Sequence, residues 1–159
     1  INDCLKQFHF VAQVISVYPQ RLENGDRVIL REQLENIRSD VQALVIRTMP
    51  NDTLKQRTTY SGGNPAYMHH EATQLIVERG IEHLLIDLPS VDKEVDKGEL
   101  LSHKAFWKYP ENTQFHKTIT EFVFVPNEVA DGEYLLNLQI APFENDASPS
   151  KPTLYKVIN

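Results

Sequence analysis

The chain has 159 residues, of which 41% are apolar and 24% are charged, and its 16 Lys and Arg against 22 Asp and Glu give a net charge of −6. A chain near ~150 residues buries about 68–70% of its unfolded surface, so residues 1–159 are expected to form a single domain. The only cysteine, Cys4, excludes an intramolecular disulfide and a Cys-rich zinc module.

The net negative charge and the lack of runs of basic residues indicate no basic surface that would bind nucleic acid. No apolar stretch approaches the ~18 residues that a bilayer span requires, and no signal-peptide pattern begins the chain. We therefore expect a cytoplasmic protein with neither a nucleic-acid nor a membrane partner. Residue 1 is Ile rather than an initiator Met, which indicates a processed product or a fragment.

The first half of the sequence alternates strand and helix patterns. β-Branched and aromatic runs predict strands at 8–17, 28–30 and 41–49, the first and last closed by proline. Between them, Leu34 and Ile37 are three residues apart, which predicts a short helix over 31–39. Strands that flank a helix indicate an α/β layered arrangement.

The second half continues this alternation. A polar helical turn at 53–60 and a loop at 61–67 precede a predicted helix at 69–79, with Gly80 at its C-cap. A strand at 81–87 follows, then a charged loop at 92–99 and a helix at 100–107. Further strands are predicted at 119–125, 134–140 and 153–158, the last two separated by a polar loop at 142–152.

Histidine and carboxylate are the chemistry-bearing groups that remain, since the sequence has no Gly-rich phosphate loop, Gly-x-Ser-x-Gly or Cys-x-x-Cys. His69 and His70 are adjacent and would point about 100° apart on a helix, so they cannot share one metal ion. His9 and His83 sit in apolar strands, which favours packing roles in the sheet.

His103 and Glu121 form the strongest candidate pair. Glu121 lies in the middle of an apolar strand pattern, where an ionised carboxylate is costly unless a cation or metal pairs with it. The alternative is that Glu121 points to the polar face of its strand. Spacing alone leaves both interpretations open.

Three polar residues, Asp87, Ser90 and Asp92, come directly after the predicted strand at 81–87. Ligands of α/β sheets bind beyond the carboxyl ends of strands, so these side chains are placed where site residues often occur. A turn in which Asp and Ser cap backbone groups explains the same pattern equally well.

Three stretches together resemble the cyclase family of metal-dependent hydrolases, which includes bacterial kynurenine formamidases and isatin hydrolases. They are Ser61-Gly-Gly-Asn-Pro-Ala-Tyr67, the segment from Glu71 to Ile-Asp-Leu-Pro-Ser-Val-Asp92, and Leu100-Leu-Ser-His-Lys-Ala-Phe-Trp107. The resemblance extends in order over the whole chain and is most specific between Ser61 and Trp107.

The resemblance implies an α/β, swivelling β/β/α fold, a homo-oligomer (dimer or tetramer), and a divalent metal, Zn or Mn, that activates water to hydrolyse a small amide or lactam. It implies that His103 and Glu121 are metal ligands, with a longer spacing between them than in the formamidases. Loop placement and the resemblance together suggest a small-molecule substrate near Asn64, Tyr67, Ser90 and Trp107.

The sequence departs from the family at one decisive point. The upstream His-x-Gly-Thr-His-x-Asp/Glu motif, which supplies the other ligands, is absent from residues 1–159, and Ile1-Asn-Asp-Cys-Leu5 resembles the segment that follows it. The expectation is a C-terminal portion of a cyclase-like domain, incomplete at its N-terminus. Two functions stay open: a metal-dependent hydrolase, and a non-catalytic α/β binding or oligomerisation module that has lost the metal site.

Overall fold

The structure is a computed structural model, and it describes residues 1–157. Within these residues, two α-helices, α1 (His70–Glu78) and α2 (Leu101–Trp107), and two 3-10 helices, Arg31–Leu34 and Thr53–Arg57, accompany nine strands. In chain order the strands are β1 (His9–Val17), β2 (Gln20–Arg21), β3 (Arg27–Ile29), β4 (Ala43–Thr48), β5 (Tyr67–Met68), β6 (His83–Ile86), β7 (Thr118–Thr120), β8 (Gly132–Asn137) and β9 (Thr153–Lys156).

The larger sheet has six strands in the order β7-β6-β4-β1-β8-β9. Strands β7, β6, β4 and β1 run parallel to one another, whereas β8 and β9 add on antiparallel at the other side. Every residue of β4 and β6 is buried, as expected for parallel strands that are covered on both faces. A smaller sheet contains β2, β3 and β5.

The larger sheet separates two hydrophobic clusters. Alternate residues of β4, such as Leu44 and Ile46, pack against α1 and α2 on one face. Their neighbours Ala43 and Val45 face a second cluster that includes Phe10 and Leu136. This period of two is the alternation of a pleated strand, so each central strand contributes to both clusters.

Most predicted elements occur within a few residues of their expected bounds. Helix α1 ends just before Gly80, whose φ of +82° is the left-handed conformation typical of a glycine after a helix. The predicted helix at 31–39 is shorter, a 3-10 helix over Arg31–Leu34. No helix within residues 1–157 is long and apolar enough to cross a membrane.

The predicted strand at 119–125 is wrong beyond residue 120. Strand β7 ends at Thr120, so Glu121 lies after the strand and not within it. The chain turns because Phe122 adopts a φ of +58°, and the backbone then bonds to the segment after β6 through Phe122 N to Leu88 O at 3.0 Å. The last predicted strand, 153–158, is β9 in the part described, and Ile158 lies outside the described residues.

Candidate functional site

The candidate site lies beyond the carboxyl ends of two parallel neighbours, β6 and β7. The loop after β6 contains Ser90 and Asp92, the residue after β7 is Glu121, and α2 presents His103. Because parallel strands end at the same edge of a sheet, side chains that are distant in sequence meet at this edge.

The His103 imidazole lies between two carboxylates. Its Nδ1 is 2.6 Å from Oδ2 of Asp92, and its Nε2 is 3.7 Å from Oε1 of Glu121. The first distance is a short hydrogen bond and the second is too long to be one. The two residues predicted as metal ligands, His103 and Glu121, are therefore brought together, with the Nε2 and Oε1 atoms facing each other.

Local backbone contacts orient Glu121. The Val91 N–H donates to Oε1 at 3.1 Å, and the positive φ of Phe122 turns the chain away immediately afterwards. Burial raises the pKa of the Glu121 carboxyl above its usual value, although the Val91 hydrogen bond and the nearby His103 oppose this shift. A partly buried carboxylate whose lost hydration is not fully offset by hydrogen bonds favours binding of a cation.

Asp92 holds both the ring and the backbone of α2. Its Oδ1 accepts from the Ser102 N–H at 2.6 Å, and its Oδ2 accepts from the His103 N–H at 3.2 Å. Burial works against ionisation of Asp92, but the hydrogen bonds from His103 and Ser102 outweigh it and lower the pKa of this carboxyl. Asp92 thus remains a carboxylate and caps backbone N–H groups, as one of the two sequence interpretations predicted, while its role as a site residue stays a prediction.

Two of the predicted substrate residues accompany this centre. The Trp107 ring lies 5.3 Å from the His103 ring, centroid to centroid, and its Nε1 donates to Lys117 O at 2.9 Å. The Ser90 hydroxyl accepts from the Asp92 N–H at 3.1 Å, and it opposes the rise in the pKa of the Glu121 carboxyl. A cavity of about 1110 Å³ is lined by His103, Trp107 and Glu121 at one part. Its other lining residues include Val45 and Leu85 of the sheet and the polar loop over 146–152.

The other two predicted substrate residues lie elsewhere. Asn64 and Tyr67 both donate to the buried carboxylate of Asp26, at 2.9 and 3.1 Å, together with Lys93 at 2.7 Å. These hydrogen bonds lower the pKa of Asp26 to about 2, the one from Lys93 most. Neither Asn64 nor Tyr67 lines the cavity that contains His103 and Glu121.

Asp87 lies at the same strand end, but its side chain is buried and holds two strands together. Its side chain is 1% exposed, and it accepts from the Thr48 N–H and from Lys55 Nζ, the latter at 2.8 Å. This pair ties the end of β4 to the end of β6. Sequence reasoning missed Lys55, because nothing in a short polar segment indicates that one lysine folds back onto a buried carboxylate.

The donor set at His103 and Glu121 fits part of a metal site. Imidazole nitrogen and carboxylate oxygen both bind zinc and manganese, and two such ligands at tetrahedral angles around zinc would lie roughly 3.4 Å apart. The observed 3.7 Å is close to this separation. Within residues 1–157, however, no three His, Cys, Asp or Glu side chains converge as a ligand group, since Asp92 contacts the opposite ring nitrogen.

Comparisons with known proteins identify the fold and the family. A family model described as "Putative cyclase" matches residues 2–93, more than half of the chain. None of the curated proteins matches the sequence. The matched residues include Ser90 and Asp92 and end before His103 and Glu121.

Two solved structures share the α/β fold at 13% identity each. One, described as a potential metal-dependent hydrolase with cyclase activity, has a TM-score of 0.64 over 92% of this chain. The other, described as a predicted metal-dependent hydrolase from Bacillus stearothermophilus, has a TM-score of 0.60 over 91% of this chain. The chain spans 65% and 62% of the length of these two proteins. From its sequence match and its fold, the chain belongs to the cyclase family.

Proposed function

We propose that this chain contributes His103 and Glu121 to the divalent-metal centre of a hydrolase that acts on small amides or lactams. The observation that carries the proposal is the 3.7 Å approach of Nε2 to Oε1 at the carboxyl end of the parallel strands. The two solved structures that share the fold are described as metal-dependent hydrolases, which supports the same class.

Each residue has a separate task in this proposal. Nε2 of His103 and Oε1 of Glu121 are the ligand atoms, and the Val91 N–H and the Asp92 carboxylate hold them in place. Trp107 forms a flat wall beside His103, against which a planar amide can pack. When bound, zinc or manganese polarises a carbonyl group and lowers the pKa of water toward about 7.

A catalytic metal ion needs about three protein ligands, and this chain offers two. We propose that the remaining ligands come from the upstream motif of the family, which residues 1–159 lack. The homo-oligomer and the choice between zinc and manganese stay predictions.

Metal titration tests the proposal directly. A polypeptide that also carries the upstream motif is stripped of metal and titrated with Zn²⁺ and Mn²⁺ by calorimetry. The variants are His103→Ala, Glu121→Gln and the control His116→Ala, whose imidazole is exposed and outside the cavity lining. We expect each site variant to lose at least about tenfold in affinity and the control to bind as the parent does. Equal affinities in His103→Ala and His116→Ala would overturn the proposal.

The second candidate function is a non-catalytic binding or oligomerisation module. It is favoured by one observation, that no third ligand converges on His103 and Glu121 within residues 1–157. The polypeptide encoded by the complete reading frame distinguishes the two candidates in an assay with formylated aromatic amines and lactams. Metal-dependent turnover that His103→Ala abolishes supports the hydrolase, and a folded, metal-free, inactive product supports the module.

A further inference from the structure

The buried carboxylate of Asp92 accepts three hydrogen bonds from α2. Its side chain is 7% exposed, and the donors are the backbone N–H groups of Ser102 and His103 and the Nδ1 of His103. No side chain of the helix itself caps this end, because Leu100 precedes α2 in a left-handed conformation without a capping hydrogen bond. Asp92 therefore fixes both where α2 begins and how the His103 imidazole is oriented.

The chemistry of a carboxylate determines which ring nitrogen carries the hydrogen. An ionised carboxylate can only accept hydrogen bonds, so at 2.6 Å from Asp92 Oδ2 the Nδ1 atom must be the donor. In a neutral imidazole the other nitrogen, Nε2, is then left with its lone pair. That lone pair lies on the side of Glu121, at a distance too long for Nε2 to donate to it.

We propose that Asp92 is a positioning residue that holds His103 in the Nδ1–H tautomer and so keeps Nε2 available as a metal ligand beside Glu121. Only the metal part of this inference rests on the proposed function; the tautomer is a property of the metal-free chain. Asp92 itself touches no reacting atom, since it contacts the ring nitrogen opposite to Glu121.

Substitution by asparagine changes the donor pattern with little change in shape. With the amide oxygen at the Oδ1 position, the 2.6 Å hydrogen bond from Ser102 N is kept and the NH₂ group faces Nδ1 of His103. The hydrogen bond from the His103 N–H to Oδ2, at 3.2 Å, is lost in this orientation. Nδ1 must then accept, and the ring hydrogen moves to Nε2. Asp92→Asn should therefore both reverse the tautomer and weaken metal binding.

The matched control is Asp96→Asn. Asp96 also accepts two backbone N–H groups just before α2, from Gly98 at 2.8 Å and Leu100 at 2.7 Å, and the described hydrogen bonds of its side chain do not include His103. The Asp96→Asn variant weakens comparable hydrogen bonds to backbone N–H groups in the same loop, but it leaves the contacts of the His103 imidazole unchanged. Asp92→Glu, which restores a carboxylate, serves as the conservative rescue.

The experiment measures the ¹⁵N resonances of the His103 ring in the metal-free chain at about pH 8.5. We expect a protonated Nδ1 and an unprotonated Nε2 in the parent and in Asp96→Asn, and the reverse in Asp92→Asn. Zinc affinity is expected to fall about 10–100-fold in Asp92→Asn and to stay unchanged in Asp96→Asn.

A protonated Nε2 in the parent chain, or an unchanged tautomer in Asp92→Asn, would overturn the inference. If Asp92→Asn does not fold, the parent tautomer and Asp92→Glu still decide it. The expected tautomer in a polypeptide that also carries the upstream motif but binds no metal would sustain the role of Asp92 and overturn the proposed metal centre, so the two failures are distinguishable.

Discussion

The Nε2 atom of His103 lies 3.7 Å from Oε1 of Glu121, although one residue belongs to α2 and the other follows β7. The loop after β6 holds both side chains. The Val91 N–H donates a hydrogen bond to Glu121, and the Asp92 carboxylate accepts one from His103. The approach of the two atoms is therefore built by three separate segments of the chain.

Glu121→Gln should separate stability from metal binding. The neutral amide removes a partly buried charge, so the metal-free variant is expected to be about 1 kcal/mol more stable to urea at pH 7. Zinc at 100 times its dissociation constant should stabilise the parent by about 2.7 kcal/mol and the variant far less. A variant that is less stable without metal and equally stabilised by it would contradict the role given to Glu121.

Acid should destabilise the protein through His83. This side chain is 3% exposed, its Nδ1 lies 2.9 Å from Thr118 Oγ1, and burial, assisted by the charge of His116, lowers its pKa to about 4. The unfolded state takes up the proton first, near pH 6.5, so the free energy of unfolding falls as the pH drops from about 6.5 to 4, by up to about 3 kcal/mol.

His83→Gln is the variant that checks this origin. Urea titrations between pH 7 and pH 4 should give a shallower decline in stability for His83→Gln than for the parent chain. His9→Gln, at an exposed position of β1, is the control and should keep the parent slope. An identical pH slope in His83→Gln and the parent would assign the acid sensitivity to other groups.

Lys55→Met should be strongly destabilising, because it leaves the Asp87 carboxylate buried without its cation. Lys55 Nζ donates to Asp87 Oδ2 at 2.8 Å and to Thr48 Oγ1 at 2.9 Å. Removal of one partner of a buried ion pair typically costs about 3–5 kcal/mol. Chemical denaturation measures this loss, and Asp87→Asn in the Lys55→Met background should recover part of it. A loss below about 1 kcal/mol would indicate that Asp87 does not depend on Lys55.

Lys108→Gly should stabilise the end of α2. Lys108 is exposed and has a φ of +53°, a left-handed conformation that costs a residue with a Cβ about 1–2 kcal/mol. Glycine also makes the unfolded chain more flexible, which offsets part of this relief. The free energy of unfolding should therefore rise by about 0.5–1 kcal/mol, or the Tm by a few degrees. Lys104→Gly, within the helix, should lose about 1 kcal/mol. Similar Tm changes in the two variants would contradict this explanation.

The sequence by itself determined the elements that have strong local signals. Apolar runs closed by proline placed β1 and β4, helical spacing followed by Gly80 placed α1, and polar residues after a buried strand marked the loop that contains Ser90 and Asp92. These features depend on side-chain periodicity and on the conformational preferences of glycine and proline, which act over a few neighbouring residues. The resemblance to the cyclase family then favoured the interpretation of His103 and Glu121 as metal ligands.

Only the tertiary structure decided how these parts meet. The apolar pattern at 119–125 continues past Thr120, but the chain leaves the sheet there and binds the loop after β6, which turns Glu121 toward His103. Asn64 and Tyr67, adjacent to the site in the sequence argument, are instead engaged by Asp26. Such contacts join residues that are remote in the chain, and their energies depend on burial and on the angle between elements, neither of which a local pattern contains.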